Sequence, residues 1–436
     1  MYYLIQPSTI NDAVVTGPGD KSISHRAIML GSIAEGQTDV SGFLAGDDCL
    51  ATMEAFRRMG VGIDHPAPTE LVIHGVGLHG LQAPVEDIDL GNSGTAMRLL
   101  AGMLAGQAFA VTLTGDESLR GRPMQRIITP LAQMGAAIES RDSKAPLTIR
   151  GNRQLAAIDY RLPVASAQVK SAILLAGLYA DGKTTVSEPA VTRDHTERML
   201  TAMGADIEVA AGQISLQGQQ RLRGCKIQVP ADLSSAAFVI LAGLLAKRAD
   251  LLLRNVGVNP TRTGVIDILQ AMGAKISLEN SQLFGEEPVA DIRVRSSSLQ
   301  GIVVDPALVS LAIDEFPVLF VAAAAAKGTT VFSRLGELRV KESDRIAAMA
   351  NGLRALGIEV EESADGAVVH GGHFSAGEVQ SFGDHRIAMS LAIAAIVAAG
   401  PVTVQDVATV ETSFPGFDHC LRSFGVDIEC RREDAE

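Results

Sequence analysis

The sequence predicts an α/β fold of two lobes, each made from three copies of one βαβαββ repeat. Three observations predict it. A phrase consisting of an apolar helix end, Met-Gly or its equivalent, and a short β-like run occurs six times, at intervals of about 70 residues. A small-residue apolar helix precedes each copy. No single repeat of this size can bury its apolar face alone, so the copies must share cores, and three plus three is the natural division.

The six phrases are AFRRMGVGI, PLAQMGAAI, MLTAMGADI, ILQAMGAKI, LRALGIEV and LRSFGVDI, with glycines at Gly60, Gly135, Gly204, Gly273, Gly357 and Gly425. A glycine just past a helix suits the left-handed position, and the Val/Ile run after it suits a strand. The preceding helices are RAIMLGSIAEG, AMRLLAGMLAG, SAILLAGLYADG, AAFVILAGLLA, PVLFVAAAAAKG and AMSLAIAAIVAAG. They are apolar nearly all round and are expected inside their lobe, whereas the second helix of each repeat carries charge and belongs nearer solvent. The lobe boundary is expected near residue 230, where IQVPADLSSAA passes from strand to the fourth apolar helix. The N-terminal lobe is then 17–230. The C-terminal lobe is 1–16 plus 231–436, with the first strand returning to it. With no long Pro/Ser-rich or charged linker, the lobes are expected to connect by short hinges and to close on a ligand in the cleft between them.

Composition narrows the function. The 436 residues carry a net charge of −13, which argues against a nucleic-acid or membrane-surface binder. Aromatics are 4% with no Trp, so Ala, Leu, Ile, Val and Gly do the packing. Cys49, Cys225, Cys420 and Cys430 are scattered, implying a reduced cytoplasmic chain with neither disulfides nor a metal site. No signal peptide is expected at MYYLIQPSTI, and the run Ile387 to Ala399 is short of the about 20 residues that span a bilayer.

Against this acidic background, basic and hydroxyl residues gather where the apolar helices begin. PGDKSISHRA opens the first with Asp20 as a cap and Lys21, Ser22 and Arg26 behind it; Ser22 and Arg26, four apart, share a face. GNSGTAMR opens the second, with Asn92, Ser93, Gly94, Thr95 and Arg98. Glycine beside hydroxyls at a helix start lets backbone N–H groups reach an anion, and a capped helix with no ligand is the plainer alternative. RGRPM places Arg120 and Arg122 in a loop before a helix expected to start at Pro123, where two arginines can clamp a carboxylate or phosphate. SAQVKSA brings Ser166, Gln168 and Lys170, and VTRDHTERM brings Arg193. The fourth start, ADLSSAA, reads as a cap.

In the fifth repeat, Asp314 and Glu315 precede the apolar helix. A carboxylate there caps the helix, or, facing an anion-lined cleft, acts as a general base. RVKESDR follows, placing Lys341 and Arg345 four apart with Glu342 and Asp344 to orient them; a solvated salt-bridge run is the common meaning of such a string. DHRIAM opens the sixth helix with Asp384, His385 and Arg386.

PGDKSISHRA, GNSGTAMR, RGRPM, SAQVKSA, RVKESDR and DHRIAM, in that order across nearly the whole chain, resemble the 5-enolpyruvylshikimate-3-phosphate (EPSP) synthase family. The resemblance implies an inside-out α/β barrel in each lobe and transfer of enolpyruvyl from phosphoenolpyruvate to the 5-hydroxyl of shikimate 3-phosphate. It implies no metal or organic cofactor, and a cytoplasmic monomer whose partners are these two substrates. By motif, it implies that Lys21, Ser22, Arg26, Ser166, Gln168, Arg193, Asp314 and Lys341 bind shikimate 3-phosphate. Lys21, Gly94, Arg122, Arg345 and Arg386 would bind phosphoenolpyruvate. Asp314 would be the base, with Glu342 or Lys21 the proton donor.

The chain departs from many members at Ala167, at Glu337 and in ETSFP, where a lysine is common. SAQVKSA, ELRVKESDR and TSFP are closer to the glyphosate-tolerant subgroup, while Gly94 is the small residue of sensitive enzymes. Two rivals stand beside this reading. The related transferase acting on UDP-N-acetylglucosamine carries a cysteine in the loop matching 115–123, and this chain has none there. A non-catalytic sugar-phosphate binder would have no need of Asp314 and Glu342.

Overall fold

The computed structural model describes residues 1–210 and 212–432, so 433–436 of the expected C-terminal lobe lie outside the described residues. The chain divides into two compact units. One comprises Gly19–Val229 with Leu283–Glu287; the other comprises Met1–Pro18, Pro230–Gln282 and Pro288–Glu436. They are called the N-terminal and C-terminal units below.

The N-terminal unit holds three four-stranded sheets of one pattern: a parallel pair, then two antiparallel neighbours. Residues 88–89, 110–114, 144–150 and 137–141 form one, and 159–161, 183–187, 213–217 and 207–210 another. In the remaining sheet the leading strand comes from the far end of the unit: Lys226–Gln228 pairs parallel to Glu35–Ser41. The last strand of the third repeat thereby completes the first.

The C-terminal unit applies the same rule across a greater sequence distance. Ala13–Val15 leads the sheet of 250–257, 287–295 and 275–284, pairing parallel with Asp250–Gly257. Tyr2–Ile5 is the middle antiparallel strand of the sixth repeat, between Val402–Gln405 and Ile428–Arg431. The fifth repeat has a three-stranded sheet, its leading strand reduced to single bridges such as Val303 to Val331.

Each unit has its own apolar core, centred on three helices buried on nearly every side. These are Lys21–Ile33, Gly94–Ala105 and Ala167–Gly177 in one unit, and Leu233–Leu245, Phe316–Ala325 and His385–Ile396 in the other. Leu, Ile, Ala and Gly let such helices sit close: a Cβ on Gly102 would lie 2.1 Å from the carbonyl oxygen of Ala172 on the neighbouring core helix. All six repeat glycines have positive φ, from 84° at Gly357 to 104° at Gly425, and a strand follows each. No helix among the described residues is long and apolar enough to cross a membrane.

Five of the six core helices are capped by a side chain. Asp20, Ser93, Ser166, Asp232 and Asp384 each accept a hydrogen bond from a backbone N–H of the first turn. The exception is Phe316–Ala325, which follows Asp314 and Glu315 and has no side-chain cap.

Candidate active site

In the N-terminal unit the helix starts are tied to one another by polar side chains. Arg26 is 4% exposed; its Nε donates to Thr196 Oγ1 (2.7 Å), Nη2 to Ser171 Oγ (2.9 Å) and Nη1 back to the carbonyl of Ser22 (3.0 Å). Burial pushes its guanidinium pKa down to about 10, with Arg193 adding to the effect and Glu197, Asp20 and Glu287 opposing it. Arg193 is thus within electrostatic reach of Arg26. Lys21 Nζ pairs with Asp48 Oδ2 at 2.5 Å.

Gln168 links two further helices. Its amide accepts from Arg98 Nη1 (2.8 Å) and donates to Thr95 Oγ1 (2.9 Å). Arg122 donates from Nη2 to Asn92 Oδ1 (2.6 Å) and from Nη1 to the Asn92 carbonyl (3.3 Å), beside the first turn headed by Gly94. A Cβ on Gly94 would meet Arg98 Nη1 at 2.9 Å and Arg122 Nη1 at 3.0 Å. The glycine therefore leaves a small space at this helix start into which two guanidinium ends, Arg98 Nη1 and Arg122 Nη1, project. Ser166 Oγ caps its helix, accepting from Val169 N at 3.4 Å, and keeps its O–H as a donor.

The residues around 120 differ from the sequence expectation. Arg120 lies within a short helix, Glu117–Gly121, rather than in a loop, because Asp116 caps that turn by accepting from Leu119 N (2.7 Å). The next helix begins at Gln125, not Pro123.

The same unit holds buried ion pairs to which the sequence assigns no role. Lys170 Nζ is paired with Glu188 (3.2 Å) and Glu197 (2.8 Å), and His195 Nδ1 is 2.6 Å from Glu287 Oε1. Burial raises the Glu197 carboxyl pKa against the pull of Lys170. His25 is fully buried, with Nδ1 2.8 Å from Thr52 Oγ1, and its pKa is held well below the ordinary value by burial and by the charges of Lys21 and Arg26.

In the C-terminal unit the expected residues meet around one carboxylate. Asp314 Oδ1 is 3.3 Å from Lys341 Nζ and 3.5 Å from Arg345 Nη1, and its backbone carbonyl accepts from Arg386 Nη1 (2.9 Å). Arg345, 1% exposed, also pairs with Glu342 (2.6 Å) and Asp384 (2.8 Å). Burial opposes charge on both members of the Arg345–Asp384 pair. Their mutual attraction, joined by Glu342 and Asp314 for the arginine and by His385 for the aspartate, outweighs it, raising the arginine pKa and lowering the Asp384 pKa. Arg345 is therefore largely committed to carboxylates, whereas Arg386 at 13% exposure has Nε and Nη2 left for a ligand.

Lys341 and Arg345 do not share a helix face as their spacing suggests. The helix starts at Arg345, capped by Asp344, and Lys341 lies on the preceding segment after the 3₁₀ turn Gly336–Val340. Both reach Asp314 by this fold-back. Of the residues sequence reasoning passed over, Asp384 carried a signal as the first residue of the DHR phrase. Thr196, Ser171 and Asp48 carried none, since only tertiary packing brings the first two to Arg26 and the third to Lys21.

The arrangement suits addition chemistry on anionic substrates, with a carboxylate beside two cations in one unit and two guanidinium ends beside a glycine-headed helix start in the other. Its residues occur in a sequence that a family model, EPSP synthase (3-phosphoshikimate 1-carboxyvinyltransferase), matches over residues 5–421. The chain belongs to the EPSP synthase family. A family member from Acidithiobacillus ferrooxidans, a 3-phosphoshikimate 1-carboxyvinyltransferase, is 58% identical over 427 residues, covering 98% of each chain. The solved EPSP synthase of Acinetobacter baumannii superposes with a TM-score of 0.88 at 50% identity, covering 99% of this chain and 100% of that one. The enolpyruvyl transferase NikO of Streptomyces tendae, at 17% identity and a TM-score of 0.78, shares the fold. The EPSP synthase fold thus accounts for the six repeats and for the strands exchanged between them.

Proposed function

We propose that the polar residues of the two units divide between them the chemistry of enolpyruvyl transfer. The activity itself comes with the family: the enolpyruvyl group of phosphoenolpyruvate passes to the 5-hydroxyl of shikimate 3-phosphate, and phosphate leaves. In our assignment Lys21, Ser22, Arg26, Ser166, Gln168, Arg193 and Lys341 hold shikimate 3-phosphate. Lys21, Gly94, Arg122, Arg345 and Arg386 hold phosphoenolpyruvate.

The observation that carries this reading is the Asp314 carboxylate set between Lys341 and Arg345. Cations on both sides let a negative base stand beside a negatively charged substrate, and a base within reach of the attacking hydroxyl is what the addition needs. Asp314 takes the hydroxyl proton as that oxygen bonds to C2 of phosphoenolpyruvate, while a proton is delivered to the methylene carbon. Loss of phosphate and of a methyl proton then restores the double bond. Glu342 and Lys21 are the two candidate donors. Glu342 is paired with Arg345 (2.6 Å) and Lys21 with Asp48 (2.5 Å), so each would deliver its proton from an ion pair. The free cysteines support a reducing, cytoplasmic setting.

Phosphate release from phosphoenolpyruvate tests the reading. Release is expected with shikimate 3-phosphate as acceptor; release only with UDP-N-acetylglucosamine would sink it. In the same assay Asp314→Ala should lower kcat by on the order of 10²–10⁴ while shikimate 3-phosphate still binds. An unchanged kcat rejects Asp314 as the base.

A further inference from the structure

The one core helix without a side-chain cap is the one that follows Asp314. Glu315 occupies its cap position, is 2% exposed and does not serve the helix. Its Oε1 instead accepts a hydrogen bond from Ser234 Oγ and lies 3.6 Å from Arg386 Nη1. Ser234 Oγ in turn accepts from Arg262 Nη2 (2.6 Å), and Arg262 is anchored by Asp232 (2.9 Å), the cap of the neighbouring core helix. Arg262 and Ser234 are each 4% exposed. A buried, connected chain thus runs from Asp232 through Arg262, Ser234 and Glu315 to Arg386, and Arg386 Nη1 closes it on the Asp314 carbonyl.

We infer that Glu315 is a positioning residue: backed by Ser234 and Arg262, it fixes the Arg386 guanidinium so that its Nε–Nη2 edge faces phosphoenolpyruvate. With Nη1 shared between Glu315 and the Asp314 carbonyl, the guanidinium cannot rotate to offer another edge. The Nε–Nη2 edge is a planar two-donor fork that fits a carboxylate or phosphate bidentately. Helix capping is a generic use of a carboxylate at this position. Here the side chain is drawn away from the helix and into a chain of charges, which costs the helix its cap and leaves Arg386 with one fixed pose. The same guanidinium nitrogen donates to the backbone carbonyl of the proposed base, so one contact ties the Arg386 fork to the residue beside it. The inference rests on the assignment of Arg386 to phosphoenolpyruvate.

The test is steady-state kinetics with each substrate varied in turn. Glu315→Gln keeps the shape and the acceptor for Ser234 but removes the charge facing Arg386. KM for phosphoenolpyruvate should rise about tenfold, and KM for shikimate 3-phosphate should stay within about twofold. Ser234→Ala, which leaves every charge in place, should move the same constant in the same direction by about threefold, and it carries the test if Glu315→Gln does not fold. Calorimetric binding of shikimate 3-phosphate to each folded variant should match the unaltered enzyme. A KM for phosphoenolpyruvate within twofold of the parent in the folded variants overturns the inference. So does a parallel rise for both substrates, which is what a purely structural role gives. A strong phosphoenolpyruvate defect in Glu315→Gln with none in Arg386→Lys would overturn the assignment of Arg386 instead.

Discussion

His25 is fully buried within reach of the charges of Lys21 and Arg26. Burial and the neighbouring Lys21 and Arg26 all disfavour its protonated form, so it is neutral in the folded protein and titrates normally, near 6.5, when unfolded. Below that pH the unfolded state takes up a proton that the native state refuses. Stability is therefore lost as pH falls from about 6.5 toward the lower native value, by up to about 1.4 kcal/mol per pH unit from this residue. His25→Asn should flatten the dependence; urea unfolding at pH 7.5 and 5.5 measures it, and an identical pH slope in parent and variant would refute the assignment. Gly94 gives a second residue-scale expectation. An added methyl there meets only the ends of the Arg98 and Arg122 side chains, which can move. Gly94→Ala should fold normally and raise KM for phosphoenolpyruvate by about tenfold, equivalent to about 1.4 kcal/mol. An unchanged KM would place the anion elsewhere.

At the scale of elements, the core helices are set by how close small residues let them come. A Cβ on Gly102 runs into the backbone of Ala172, which cannot yield without separating two helices. Gly102→Ala should cost about 1–3 kcal/mol or more in denaturant unfolding. Gly31→Ala, whose Cβ meets side-chain carbons of Ile73 and Thr38 at 3.1–3.4 Å, is the milder comparison. Equal losses at the two sites would contradict this account. Packing at this scale also explains why capping is an unreliable guide to function. Asp20, Ser166 and Asp384 head helices in the predicted motifs and are caps, while Glu315, in the place of a cap, is drawn to Arg386 instead.

For the whole molecule, the local signals were legible and the pairings were not. Gly60, Gly135, Gly204, Gly273, Gly357 and Gly425 each announced a left-handed turn because no other residue adopts it so cheaply, and each has one. The apolar helices were legible for a similar reason, since their burial leaves no polar face to confuse the pattern. The four-residue spacing of Lys341 and Arg345 suggests one helix face, but a 3₁₀ turn and an Asp344 cap intervene. The Arg26–Thr196–Ser171 cluster and the Glu287–His195 contact join residues far apart in sequence. No periodicity encodes such a meeting.

The exchange of strands sets a clock on the making of this protein. Tyr2–Ile5 leaves the ribosome long before its two partners, Val402–Gln405 and Ile428–Arg431. Roughly 400 residues separate synthesis of the strand from synthesis of its neighbours, which at about 5–20 residues per second is about 20–80 s. For that interval an apolar segment with both edges open waits in the company of other nascent chains. Gly19–Val229, which contains the strand that completes its first sheet, need not wait.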